Sequence, residues 1–177
     1  AGALRVVRDG KLVPEPIPGL PAIPAIGQGG LMDIAVDPDF ATTGHLFFTV
    51  TEGTPDANMT TVARARFDGT KLSDWTVIWR NPRTKAQGQH FGARIQFLAD
   101  KTMLVSIGDG GNRPASIDGE WLRLKAQQKD FAFGKILRMD RDGKAPADNP
   151  FPGAEGVEAY VYSFGHRNVQ GIALDPK

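Results

Sequence analysis

Apolar and polar positions alternate in short runs along this chain, and the runs fall into two sets of four. Met32–Val36, His45–Thr51, Thr60–Phe67 and Thr76–Trp79 carry the period-two pattern between turn residues, which predicts strands. Arg94–Leu98, Met103–Ile107, Lys135–Asp140 and Glu158–Ser163 make a second set. The turns are marked by Asp37-Pro38-Asp39-Phe40, Asp68-Gly69 and Arg141-Asp142-Gly143. Near the start, Leu4–Val13 reads as a hairpin around Asp9-Gly10. Pro14 to Ile26 is Pro-rich and apolar, so it reads as a rigid extended connector. Residues 113–131 lack alternation, and Glu120–Lys129 is expected to form a short helix. Gly108-Asp109-Gly110-Gly111-Asn112 and Lys144–Gly156 read as turns and loops.

One pattern recurs three times. Gly29–Asp39 runs as a strand into a polar turn; Gly92–Lys101 has the same shape, and Val169–Pro176 repeats the first nearly letter for letter. Recurring blocks of four strands predict an all-β propeller. The spacing, roughly 60 and 75 residues, exceeds the ~40–50 of a minimal propeller repeat, so inserted loops are expected. Two to three blades do not close a ring, and residues 1–177 are therefore expected to be one domain portion of a longer polypeptide, cut at both ends.

Composition narrows the partners. Gly and Pro together make up about a fifth of the chain, which suits many turns. The net charge is +1, so neither nucleic acid nor an anionic membrane is indicated. There are no cysteines, which removes disulfides, thiolate metal sites and a Cys nucleophile. No apolar run approaches the ~20 residues of a membrane-spanning helix.

The candidate chemistry sits where each recurring run begins. Gln28 precedes the first, His90 the second, and Arg167 with Asn168 the third. An imidazole can take a proton from a hydroxyl near neutral pH, and a guanidinium offers a fork of donors to a polarised carbonyl or carboxylate. Each residue also has an ordinary reading, as a turn cap or a surface side chain. If the runs are innermost strands, however, the four side chains meet at one axial site. Asp109 and its glycines match neither a P-loop nor an EF-hand and read as a turn, as does Asp140-Arg141-Asp142-Gly143. Trp75, Trp79 and Trp121 read as packing residues rather than sugar platforms.

The segments Gly27-Gln28-Gly29-Gly30-Leu31, His90-Phe91-Gly92-Ala93-Arg94, Phe133-Gly134-Lys135-Ile136-Leu137-Arg138 and Gly165-His166-Arg167-Asn168-Val169-Gln170-Gly171 together resemble one family. It is the soluble quinoprotein glucose/sorbosone dehydrogenases, nearest the aldose sugar dehydrogenases. The turns Asp37-Pro38-Asp39-Phe40 and Ala147-Asp148-Asn149-Pro150-Phe151 resemble it too. The resemblance implies a six-bladed β-propeller of four-stranded blades, of which this chain covers roughly the first half. It further implies pyrroloquinoline quinone on the axis, calcium with ligands beyond residue 177, a small-molecule aldose as substrate, and a periplasmic or secreted location. By position, Gln28 would contact the quinone, His90 would take the proton from the sugar C1 hydroxyl, Arg167 would polarise the quinone carbonyl, and Asn168 would bond the cofactor beside it. The glucose-specialised members carry Asp just before the base histidine; here the residue is Gln89, which fits the broader aldose branch. Two rivals stand beside this reading, a non-catalytic propeller used as a binding module and a metal-dependent lactonase-type propeller. The second would want several Asp, Asn or Glu side chains at the strand entrances, where this chain shows Gln, His and Arg.

Overall fold

The structure, a computed structural model, describes residues 2–112 and 114–175. Both sets of four strands form. The chain opens with a hairpin of β1 (Val7–Arg8) and β2 (Lys11–Leu12). Asp9 and Gly10 take φ of 52° and 75° at its turn, the geometry of a two-residue hairpin. The first large sheet runs β3 (Leu31–Val36), β4 (His45–Thr54), β5 (Ala57–Phe67) and β6 (Leu72–Arg80), antiparallel and in sequence order. The second holds β7 (Gly92–Phe97), β8 (Met103–Ile107), β11 (Lys135–Met139) and β12 (Val161–Phe164), also antiparallel and in sequence order. Between β8 and β11 lie a short pair, β9 (Ser116–Ile117) with β10 (Glu120–Trp121), and a 3₁₀ helix at Leu122–Gln127. These two sheets are propeller blades, with β3 and β7 innermost.

Burial follows the alternation. On β4, Leu46, Phe48 and Val50 point into one cluster, while Phe47 points into the other. The first cluster is covered by the Pro-rich connector through Ile17, Leu20 and Ile23. Leu72 N–H donates to Pro18 O at 2.9 Å, so the connector also satisfies backbone at the start of β6. The second cluster is the interface between blades. Phe47, Val62 and Trp79 of the first meet Ile95, Met103, Val105, Leu137 and Met139 of the second. Full burial of each such side chain contributes about 1.5–3 kcal/mol. Trp75 packs on Phe48 with ring centroids 5.1 Å apart, and Trp79 is buried, as expected of packing residues. Trp121 instead lies at the surface with Arg123 over its ring.

Two expectations are corrected. Glu120–Lys129 is not an α-helix. Glu120 and Trp121 pair as β10, and the remainder is a 3₁₀ turn whose carbonyls at Lys125 and Ala126 both accept from the Lys135 ammonium, at 3.0 and 2.9 Å. The third run, residues 169–175, forms no strand. No neighbouring strand pairs with it among the described residues, and Pro176 and Lys177 lie outside them.

A β-bulge sets how the blades meet. Gly92 pairs with Ile107 and Ile95 with Val105, so Ala93 and Arg94 share the single partner Ser106. Ala93 has a φ of 82°, in the left-handed region. Three backbone groups at the bulge find side-chain partners. Ala93 O accepts from Thr49 Oγ1 at 2.6 Å, Arg94 N–H donates to Ser106 Oγ at 2.9 Å, and Ile95 N–H donates to Asp33 Oδ2 at 2.8 Å. Arg94 Nη1 reaches Asp33 Oδ1 at 3.0 Å. At the other end of the blades, buried Asp37 and its neighbour Asp39 accept from Arg141 at 2.9 and 3.0 Å, and Lys101 also holds Asp39. Contact with Asp37 keeps the Arg141 guanidinium pKa raised.

Asp33→Ala strands the Ile95 N–H at the blade interface. The expected loss of unfolding free energy is about 1–3 kcal/mol, read as a lower urea midpoint with unchanged slope. A variant as stable as the parent would show that the bulge does not need this carboxylate.

Candidate active site

The residues singled out in sequence lie at the entrances of the inner strands, Gln28 and Asn168 bonded to the His90 strand entrance through their side chains and Arg167 tied to Asp109 through its main-chain carbonyl. Gln28 comes first: its N–H donates to Gly88 O at 2.7 Å, and its side-chain Oε1 accepts the His90 N–H at 2.9 Å. His90 stands at the entrance of β7 with a φ of 47°, left-handed and costly for a side-chain-bearing residue. Asn168 Oδ1 accepts the Gly92 N–H at 3.0 Å, which brings the third entrance against the second. Val169 O accepts from Ser106 Oγ at 2.7 Å, fixing the same approach one residue on.

Asp109, read from sequence as a turn residue, is the piece that joins them. Its Oδ1 lies 2.7 Å from His90 Nδ1 and accepts the Gly111 N–H at 2.9 Å. Its own N–H donates to Arg167 O at 2.7 Å. The two side chains are nearly enclosed, 11% exposed for His90 and 7% for Asp109. A carboxylate only accepts, so the imidazole donates from Nδ1 and keeps Nε2 as its acceptor. The signal for this pair was present in the strand register. Extending the Gly92–Ile107 pairing by two residues sets His90 opposite Asp109.

Arg167 keeps its guanidinium at the surface, with Nη2 donating to Asn112 Oδ1 at 3.2 Å. Asn112 N–H in turn donates to Gln89 Oε1 at 3.3 Å. Its backbone is held from below. Gly165 N–H donates to Ala126 O, and His166 N–H to Gly134 O, at 2.9 and 3.0 Å. Ala126 O also receives the ammonium of Lys135, which is wholly buried and bonds Phe133 O as a third carbonyl at 2.8 Å. Burial pushes that ammonium down to about 8. Lys85, beneath the His90 turn, is likewise pushed down to about 8 by burial.

Gly108 shows how closely the entrances approach. A Cβ there would lie 2.0 Å from His90 O and 3.0 Å from Asn168 Oδ1. A cleft of about 320 Å³ opens beside Gln28, lined by Met32, Asp33, Phe91, Arg94 and Gln170 among others, and a separate one is lined by Asp109, His166 and Arg167.

The donor set suits a quinone carrying carboxylates, whose edge offers chiefly acceptor oxygens. Gln28 and Asn168 each commit the side-chain oxygen to a backbone N–H, which leaves their NH₂ groups, both donors, for a ligand. Arg167 adds a charged donor fork. Pyrroloquinoline quinone therefore fits the residues present. Among the described residues no group of three or more His, Cys, Asp or Glu side chains could hold a metal ion.

Residues 1–177 match the family described as Glucose / Sorbosone dehydrogenase, and the chain belongs to that family. It is 50% identical over 183 residues to an uncharacterized protein of Synechocystis, covering 99% of this chain and 44% of that one. It is 33% identical to the aldose sugar dehydrogenase YliI of Escherichia coli, over 99% of this chain and 45% of the relative. The chain thus spans somewhat less than half the length of the curated relatives it matches. Among solved structures, the apo form of the soluble aldose sugar dehydrogenase from Escherichia coli superposes with a TM-score of 0.85 at 33% identity, over 98% of this chain and 48% of that one. The PQQ-bound form of the aldose sugar dehydrogenase from Streptomyces coelicolor gives 0.73 at 31% identity, over 94% and 45%.

Gly108→Ala has no room on either side and is expected to lower stability by about 1–3 kcal/mol, measured by urea unfolding. Stability should also depend on pH through Lys85 and Lys135. Each ammonium titrates near 8 when folded against 10.5 in the free chain. Between those values the unfolded chain binds more protons, so stability rises as pH rises from about 8 toward 10. Urea midpoints at pH 7.5 and 9.5 measure the rise, and Lys135→Met should show a smaller one than the parent.

Proposed function

We propose that the protein carrying this chain is a quinone-dependent aldose dehydrogenase that oxidises the C1 hydroxyl of a sugar to the lactone. The observation that carries the reading is the 2.7 Å contact between His90 Nδ1 and Asp109 Oδ1, with Arg167 tied to the same aspartate through its carbonyl. Asp109 orients the ring, and His90 Nε2 accepts the C1 hydroxyl proton. Loss of that proton makes the C1 hydride easier to release. Pyrroloquinoline quinone, when bound, supplies the two-electron acceptor for that hydride. Gln28 and Asn168 would hold it through their amide N–H groups. Arg167 would place positive charge where negative charge develops on the acceptor oxygen.

Gln89 stands where the glucose-specialised members carry an acid, and it is occupied with Asn112 N–H. This supports a broad aldose preference over strict glucose. No helix among the described residues is long and apolar enough to cross a membrane. A periplasmic or secreted location and a calcium requirement accompany the reading.

Full-length protein supplied with quinone, calcium, an aldose and a dye acceptor tests the roles. Dye reduction should be abolished in His90→Ala and Arg167→Ala. Asp109→Asn leaves the ring in place with the wrong tautomer favoured and should lower kcat by roughly 10²–10⁴-fold, with sugar KM changed far less. Unchanged turnover in the His90 and Arg167 variants would overturn the assignment.

A further inference from the structure

Beneath the His90 turn lies an ammonium that no salt bridge among the described residues neutralises. Lys85 is 5% exposed. Its Nζ donates to Asn58 Oδ1 at 3.0 Å and to Gln87 O at 2.8 Å, and stands 4.0 Å from the centre of the Phe91 ring. Two oxygens and one aromatic face account for its three N–H groups. Burial alone pushes it down to about 8. An apolar side chain of equal length would fill the space without that desolvation cost, so the charge adds directional contacts rather than volume.

Those contacts bracket the proposed base. Gln87 lies three residues before His90, and Phe91 directly follows it. Gln87 has a φ of 68° and His90 of 47°, both left-handed, so the turn holds two side-chain-bearing residues in a conformation they disfavour. Asn58 completes the grip: its Nδ2 donates to Thr54 O, Pro55 O and Gln87 O at 3.1, 3.2 and 3.0 Å. Asn58 and Lys85 also exchange backbone hydrogen bonds, each of 2.8 Å. The lysine stem reaches the second loop as well. Gly110, next to Asp109, approaches so closely that a Cβ there would lie 3.2 Å from Lys85 Cδ. One side chain thus touches both the loop that carries His90 and the loop that carries Asp109.

We propose that Lys85 is a positioning residue for the sugar oxidation: its ammonium holds the Gln87–Phe91 turn in the left-handed form that sets the His90 imidazole against Asp109. The inference rests on the reading of His90 as the base. Its geometric part stands apart from activity and is tested separately.

The experiment uses full-length protein and the variants Lys85→Met, Phe91→Leu and His90→Ala. Amide hydrogen exchange of the 86–92 segment is measured without quinone or sugar, and kcat and KM are measured with both. In Lys85→Met, exchange in that segment should quicken roughly tenfold while β4 and β8 stay protected. Its kcat should fall by roughly 10–100-fold with sugar KM changed much less, since a misplacement of about 1 Å costs about 10² in rate. Phe91→Leu keeps the charge but removes the aromatic face; it should fall between parent and Lys85→Met, and decides the matter if Lys85→Met does not fold. Unchanged exchange at 86–92, or exchange that quickens equally in both blades, overturns the proposal. If His90→Ala abolishes turnover while Lys85→Met and Phe91→Leu turn over like the parent, the positioning role fails alone. If His90→Ala remains active, the reading of the base fails, and the exchange result still stands or falls by itself.

Discussion

The geometry at the rim depends on Asp109. Its carboxylate meets the His90 ring, its N–H holds the Arg167 carbonyl, and the same oxygen receives Gly111 N–H. Two other segments, those of His90 and Arg167, are therefore pinned to one residue only slightly exposed to water. In such surroundings an unmatched polar group is costly, so the arrangement is close to all-or-none. The His90 ring and the Arg167 main chain are both fixed by this one residue.

The two ends of the blade interface are secured differently. At the rim, Thr49, Ser106, Asn168 and Gln28 stitch backbone to side chain at 2.6–3.0 Å, beside the more enclosed carboxylates of Asp33 and Asp109. At the far end the work falls to charges, with Arg141, Lys101, Asp37 and Asp39 in one network and Arg64 joined to Asp142. Between them lies an apolar layer of Phe47, Val62, Met103, Val105 and Leu137. Added salt weakens exposed ion pairs far more than short enclosed hydrogen bonds. The rim thus keeps its shape under conditions that loosen the opposite face.

Much of this was legible in the chain itself. Period-two alternation located all eight blade strands, although β8 is buried on both faces and β3 is nowhere fully buried. The recurring strand entrances picked out Gln28, His90, Arg167 and Asn168; Gln28 Oε1 and Asn168 Oδ1 accept from the His90 and Gly92 N–H groups, while the Arg167 guanidinium turns to Asn112. Asp109, Asp33 and Lys85 were not legible as separate residues. Each looks like an ordinary turn or surface side chain until the pairing register and the contact between blades supply its partner. The helix expected at 120–129 is shortened to a 3₁₀ helix at Leu122–Gln127 because Glu120 and Trp121 are taken by pairing with β9. Residues 169–175 carry a strand-like pattern without an adjacent strand to complete it, and pattern alone does not make a ladder.

The bulge at Ala93 and Arg94 separates two kinds of tolerance in this fold. Beyond it, Ile95, Gln96 and Phe97 keep regular register with β8 and belong to the packed interior. Before it, the path from Gln87 to Gly92 is held by side chains rather than by a continuous ladder. A change of chain length by one residue on that short path would turn the imidazole to another face and leave the interior almost untouched. Relatives that keep the blades intact yet lose the chemistry are therefore easily reached from this scaffold, and a sound core is poor testimony that the rim still reacts.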